Sequence, residues 1–308
     1  MSKILVTAKV NPDLDGTSCT LAYAELLKRQ GKDAEGLVSG EPQSEARYFI
    51  DKQGIKIPQR EDMLSNEWDT FILVDASSMK GMPKCVSAED VLEVIDHRKG
   101  ESEKEFPKAK IQNELIGAAA TIVIERYKQV KEKPLPEHAK LLYGAIFHNT
   151  LNFIATISSE RDKEAIKFLE NEFNLDKNII REMFDYATKE IEGDIALALE
   201  NDAKEFGTGW KIGAYQLIVW GDGILKDKDY IKRCVKDLAS KMDATWSFLN
   251  LINLESTESV LFATNDEAEK ILSRALDTKF DNGIAVLSHA MLRKQIMPKV
   301  NEIVAKLA

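Results

Sequence analysis

Acidic, imidazole and cationic side chains recur in this 308-residue sequence at points where apolar runs end. Lys9, Asp13 and Asp15 follow "ILVTA" within "KVNPDLDG"; Asp75 closes "FILVD"; Asp96, His97 and Arg98 close "VLEVI"; His148 and Asn149 stand in "FHNT", residues 147 to 150. Taken singly, aspartate and asparagine are ordinary turn formers and helix caps. Brought together, carboxylates repel unless a proton or a cation lies among them, so Asp13, Asp15 and Asp75 with His97 point to a metal site. Oxygen-rich ligands with one imidazole suit manganese or magnesium better than zinc.

Such a site needs a scaffold that delivers several strand ends to one place. The first half alternates apolar runs, at 4 to 8, 71 to 75 and 91 to 96, with helical patterns at about 17 to 30 and from about Ile116. This alternation predicts a doubly wound α/β domain with a mainly parallel sheet, whose ligands bind outside the carboxyl ends of the strands. Further helices are expected at about 136 to 147, 161 to 173 and 177 to 189, the last with Asp176 as N-cap. The charged stretch "TKEIEGD", residues 188 to 194, marks the boundary: a first domain over 1–188, a linker over 189–194 and a second domain over 195–308. There "AKEFGTGWKIGAYQLIVW", residues 203 to 220, reads as a hairpin around Gly-Thr-Gly. Strands near 246 to 252, 258 to 263 and 283 to 288 and a helix near 298 to 307 complete a smaller α+β domain with a mixed sheet.

Composition narrows the class. A hydrophobic content of 44% supplies two cores, and a net charge of -9 sets aside a nucleic-acid polymer as partner. Cys19, Cys85 and Cys234 have neither disulfide-framework nor metal-ligand spacing, which suits a reducing compartment. No apolar run approaches the roughly 20 residues of a membrane span and no signal peptide precedes the first strand, so a cytoplasmic protein without a membrane partner is expected. His138 and His289 stand outside any motif and read as structural. "GWKIG" lacks the spacing of a phosphate loop.

The segments "NPDLDG", "LVDAS", "VIDHRKG" and "LIGAAATI", followed by "NDAKEFGTGWKIGAYQ" and "LRKQIMP", resemble the successive motifs of the DHH phosphoesterase superfamily. Among its branches they look most like the manganese-dependent family II inorganic pyrophosphatases, over nearly the whole chain. The resemblance implies a first domain with two metals and a second, DHH-associated domain that holds diphosphate with basic residues. It also implies a homodimer formed through a first-domain strand. The implied reaction is hydrolysis of diphosphate to two phosphates, the metals activating water and neutralising phosphoryl oxygens of an in-line displacement. Carried over residue by residue, Asp13, Asp15, Asp75 and His97 match metal-ligand positions, and Lys204 matches a substrate-binding lysine. Arg293 with Lys294 resembles the family's Ser-Arg-Lys-Lys-Gln segment; an ungapped match to Gln295 puts Leu292 at its arginine, so two registers are open.

The family has a histidine where this chain has Lys9, an aspartate where it has Asn149, and a second histidine where it has Arg98. Lys9 adds a positive charge and Asn149 removes a negative one, which together equals the charge of one divalent cation. The expectation is a Lys9 ammonium among Asp13 and Asp75 in place of one metal. At most one Mn2+ or Mg2+ then remains, on Asp15, Asp75, His97 and the Asn149 carbonyl, with His148 as the alternative ligand. Arg98 exchanges proton transfer for a fork matched to phosphate, and Asp-His-Arg also resembles the prune-type branch of the superfamily. The expected catalytic set is Asp13, Asp15, Asp75, His97 and Arg98, with substrate bound by Lys9, Arg98, Lys204, Arg293 and Lys294. The function expected is metal-dependent hydrolysis of diphosphate or a similar small phosphoanhydride. The alternative is a weakened or inactive homologue that binds a phosphate-bearing ligand in a regulatory role.

Overall fold

The structure, a computed structural model, describes residues 2–60, 67–98, 100, 102–207 and 210–306. The chain divides into two compact units, Met1–Met183 and Phe184–Ala308. In chain order the first unit carries β1 (Ile4–Thr7), α1 (Leu14–Arg29), β2 (Ala34–Gly36), β3 (Val38–Ser39), α2 (Ser44–Asp51), β4 (Gln59–Arg60), β5 (Thr70–Val74), β6 (Val91–Asp96) and α3 (Ser102–Glu105). It continues with β7 (Lys110–Asn113), α4 (Ala119–Gln129), α5 (Pro136–Asn149) and α6 (Glu160–Glu172), and α7 (Asn178–Gly193) leads into the second unit.

The five-stranded sheet of the first unit has the order β2-β1-β5-β6-β7, with every pairing parallel. The central strands β1 and β5 read as continuous apolar runs because both faces of the sheet are covered there. Leu5, Phe71, Leu73 and Val94 pack with Trp68, Met82 and Phe106, while α1 contacts β1 and β5 and packs on α4 and α5. After β1 the chain adds β2 on one side and, later, β5 on the other. The switch point therefore lies between the carboxyl ends of β1 and β5, the position at which such sheets bind ligands. Asp13 and Asp15 follow β1 and Asp75 follows β5, so the topology itself brings these carboxylates together.

The second unit continues with α8 (Ile195–Asp202), β8 (Lys204–Phe206), β9 (Ile212–Val219), α9 (Lys228–Lys241), β10 (Trp246–Asn253), β11 (Glu258–Ala263), α10 (Asp266–Leu276), β12 (Ile284–Leu287) and α11 (Arg293–Ala305). Its sheet order is β12-β11-β10-β9-β8, with β9 and β10 parallel and the other pairs antiparallel. Alternation along the strands divides the two cores. Ile212, Ala214, Trp246 and Phe248 face α10 and α11, whereas Tyr215, Leu217, Leu249 and Leu251 face α8 and α9.

The fold class expected from sequence is the one observed. Two local expectations differ from the structure, and a third is met. The stretch 189–194, expected as a linker, is helical: α7 runs to Gly193, with Lys189 and Asp185 paired at 2.6 Å one turn apart, and Asp194 then caps α8 by accepting from Leu197 N at 3.0 Å. The last helix begins at Arg293 rather than near residue 298, its start fixed by Gln295 Oε1 accepting from Leu292 N at 2.6 Å. The hairpin is present as β8 paired with β9, but Thr208 and Gly209 of its turn lie outside the described residues. Among the described residues, no helix is long and apolar enough to cross a membrane.

Candidate metal centre

Asp15 sits in the first turn of α1 and is 0% exposed. Its two oxygens face the opening turn of α4: Oδ2 accepts from Ala119 N and Oδ1 from Ala120 N, each at 2.8 Å. Unsatisfied amides at a helix start favour an anion, which explains why "LIGAAATI" belongs to the site although it carries no ionisable group. Asp75 is buried and held at φ +50°, a left-handed conformation that disfavours a non-glycine residue by roughly 1–2 kcal/mol. Its amide donates to Ile95 O at 2.8 Å, tying the strained residue to β6. Gly16 permits the close approach of the β1–α1 turn: a Cβ there would lie 3.0 Å from Ala8 Cβ and 3.6 Å from Asp75 Oδ2.

His97 follows β6. Its Nδ1 donates to Ile116 O at 3.2 Å, which leaves Nε2 3.4 Å from Asp75 Oδ1. An imidazole whose second nitrogen is fixed by a backbone carbonyl is the usual arrangement of a metal-ligating histidine. Asp15, Asp75 and His97 each present a ligand atom, all within 4.8 Å of one another. The electrostatics call for a cation. Burial and then the neighbouring Asp75 push Asp15 up to about 6, and burial and then Asp13 push Asp75 up to about 6. Burial would lower the His97 pKa, but its bond to Asp75 and the charge of Asp15 prevail and raise it to about 9. Without a metal, protonated His97 and Arg98 balance the two carboxylates near neutral pH, and the carboxylates themselves take up protons below about 6.

The remaining expected ligands are placed differently. Asp13 is the N-cap of α1, its Oδ1 accepting from Gly16 N at 2.9 Å. Burial and then Asp15 raise its pKa, but it is not part of the gathered trio. Asn149, the last residue of α5, was expected to offer its carbonyl to a metal; in the structure it turns its amide nitrogen to Asp15 Oδ2 at 2.6 Å. A carbonyl facing that carboxylate would be repelled. His148 pairs through Nε2 with Glu45 of α2 at 3.1 Å and is not one of the gathered trio.

The cation found at Asp75 is Arg98, not Lys9. Arg98 Nη2 donates to Asp75 Oδ1 and to Asp75 O, both at 2.7 Å, and Nε donates to Asp96 Oδ1 at 3.0 Å. The buried Asp96 also accepts from Arg98 N at 3.2 Å, which folds the side chain back over β6. Lys9 is half-buried beside Gly81 and, among the described residues, makes no ion pair with Asp13 or Asp75. The reason is geometric: two residues beyond β1 its stem runs along the 81 region, whereas Arg98 starts from the strand next to Asp75. Sequence reasoning missed Asp96 as the anchor of Arg98, Glu45 as the partner of His148, and the α4 amides.

In the second unit Lys204, the first residue of β8, and Lys294 are exposed. Arg293 is engaged within its own unit. It is 7% exposed, its Nη1 donates to Ala214 O and Asp202 O at 3.0 Å, and its guanidinium grips the Asp202 carboxylate through both terminal nitrogens. Its own amide donates to Gln216 Oε1 at 2.6 Å. The basic segment thus contributes a structural arginine and an exposed lysine.

A parallel sheet with a carboxylate-imidazole cluster at its switch point, the imidazole preceded by aspartate and followed by arginine, defines the class. Residues 3–146, a little under half of the chain, match the model of the DHH family, N-terminal domain. Over its whole length the chain resembles manganese-dependent inorganic pyrophosphatases. It is 27% identical over 315 residues to the manganese-dependent inorganic pyrophosphatase of Bacillus subtilis, covering 99% of this chain and 100% of that protein. It is also 27% identical over 314 residues, with 99% and 100% coverage, to an Exiguobacterium protein given the same name by inference. A crystal structure from Methanococcus jannaschii, called by inference a family II inorganic pyrophosphatase, superposes with a TM-score of 0.69 at 20% identity over 97% of this chain and 99% of that one, which supports the fold.

Proposed function

We propose that the chain is a manganese- or magnesium-dependent phosphohydrolase of diphosphate or a similar small phosphoanhydride, with one metal held by Asp15, Asp75 and His97. The observation that carries this is the convergence of those three ligand atoms within 4.8 Å, with the Asp15 and His97 side chains fixed from behind by backbone groups and Asp75 held through its own amide on Ile95 O. The donor set, two carboxylates and one imidazole, fits a hard divalent ion. When bound, the metal supplies Lewis acidity toward a phosphoryl oxygen and charge to offset the two carboxylates.

The chain's own residues do the rest. Arg98 stands on Asp75 at the position of a second cation; with Nε and Nη2 engaged, Nη1 carries the donors left for a phosphate oxygen. Lys9 supplies a second positive charge near the β1 strand end and takes a phosphoryl oxygen as a point charge. Asp13 holds the α1 turn, and Asn149 keeps Asp15 oriented. Lys204 and Lys294 are exposed cations of the second unit open to an anion. A cytoplasmic homodimer joined through a first-unit strand belongs to the same reading and is checked by sizing; β2 and β7 are the edges of that sheet.

A second reading has its own support. Arg98 on Asp75 and Asn149 on Asp15 occupy oxygens a metal would use, which favours a phosphate-binding homologue with little turnover. Phosphate release from diphosphate with added Mn2+, beside an Asp75→Asn control, decides between them. Release that disappears in the control supports the hydrolase; no release from a protein that still binds diphosphate supports the regulatory homologue.

A further inference from the structure

His97 and Asp15 share one support. Ile116 O takes the His97 Nδ1 proton, and the amides of Ala119 and Ala120 hold Asp15. These three backbone groups lie on the turn that opens α4. What holds that turn is a carboxylate from another helix, Asp162 in the first turn of α6, which is 0% exposed. Its Oδ2 accepts from Gly117 N at 3.1 Å and its Oδ1 from Thr121 Oγ1 at 2.6 Å, one bond on either side of Ala119 and Ala120. Oδ2 also accepts from Ser159 N and Ser159 Oγ, each at 2.7 Å, which completes the capping box of α6.

A capping box requires only the bonds to Ser159; those to Gly117 and Thr121 serve α4. Space has been kept for them. A Cβ at residue 117 would lie 2.6 Å from both Asp162 Oδ2 and Thr150 Cγ2, so only glycine lets the carboxylate reach that amide. A buried carboxylate with four donors resists displacement, since each lost partner would leave a desolvated acceptor.

We infer that Asp162 is a positioning residue for the metal centre: it clamps residues 117 and 121 so that Ile116, Ala119 and Ala120 hold His97 and Asp15 at the spacing one cation can bridge. For the metal this rests on the proposed function; the clamp itself does not. Thr121→Val removes one of the two bonds from Asp162 to the α4 turn at nearly constant volume, and Thr121→Ser restores the hydroxyl. Asp162→Asn turns one acceptor into a donor that faces other donors. Ile166→Val, a buried change in the same helix, serves as a control for stability alone.

The experiment reads amide exchange at Ala119 and Ala120 in metal-free protein, and Mn2+ affinity from the electron paramagnetic resonance signal of the free ion. Thr121→Val and Asp162→Asn should each exchange these two amides about tenfold faster or more, and bind Mn2+ about 10–100-fold more weakly, as expected when a group behind a ligand is lost. Thr121→Ser should behave as wild type, and Ile166→Val should shift neither readout beyond about twofold. Unchanged exchange in folded Thr121→Val overturns the inference, as does an equal loss in Ile166→Val. If Asp162→Asn does not fold, Thr121→Val decides alone. Wild type that binds no Mn2+, with Thr121→Val still freeing Ala119 and Ala120, removes the metal reading and leaves the clamp standing.

Discussion

The two sides of the strand-end crevice hold the same kinds of side chain and differ in what stands behind them. Asp15, Asp75 and His97 are each anchored by backbone from another element: the start of α4, the end of β6, and Ile116. Asp13 is turned to its own helix as a cap, and Lys9 has no carboxylate partner among the described residues. The donor-type residues proposed as ligands are the ones whose ligand atoms gather at a shared point. The charge that Lys9 was expected to bring to Asp75 comes instead from Arg98, one residue beyond the histidine on the adjacent strand.

The change that would most harm the anchored side is Asp75→Asn. It removes the carboxylate shared by His97 and Arg98 and should lower phosphate release more than about 100-fold, beyond the loss typical of residues behind a ligand. Retained turnover would dissolve the distinction between the two sides. Next in size, Arg293→Met should lower the stability of the second unit by about 2–3 kcal/mol, because Asp202 and Ala214 O lose a buried partner, with Mn2+ affinity unchanged. Unchanged stability with a raised KM for diphosphate would return Arg293 to the substrate set.

Protons offer a subtler test. Asp15 and Asp75 are raised from 3.8 to about 6, so each contributes stability below pH 3.8 that is lost as pH rises through about 6. His97, raised from 6.5 to about 9, contributes stability present below 6.5 and lost toward 9. Metal-free protein should therefore fall in Tm from about pH 4 to about pH 9. Mn2+ needs the deprotonated ligands, so its stabilising shift should grow over the same range. A flat metal-free profile would mean that protons do not balance the cluster. The smallest effect is expected of Asp13→Ala: loss of a cap, about 1 kcal/mol in chemical unfolding, with Mn2+ affinity within about threefold of wild type. Abolished Mn2+ binding would make Asp13 a ligand after all.

Much of this could be read in the residues. Apolar runs bounded by aspartates place β1, β5 and β6, and the same aspartates with His97 mark the centre, because a doubly wound sheet delivers strand ends to one edge. What could not be read depends on distant partners. Arg293 looks like a phosphate-binding arginine until Asp202, 91 positions away, is seen to hold it. Asn149 has two polar atoms, and only its neighbour Asp15 decides which one faces the site. The short strands β2, β3, β4 and β7 and the helix α2 carry too little periodicity to stand out. The run of α7 through its charged end follows the apolar stripe of Ile180, Met183, Phe184, Ala187 and Ile191, which the intervening charged residues mask in the sequence.

The central claim, one metal on Asp15, Asp75 and His97 with Arg98 in place of a second, is tested most directly by counting manganese. Elemental analysis of Mn2+-loaded, desalted protein should give about one ion per chain, with a resonance spectrum free of coupling between neighbouring ions. About two tightly held ions per chain, with a coupled spectrum, would contradict the account.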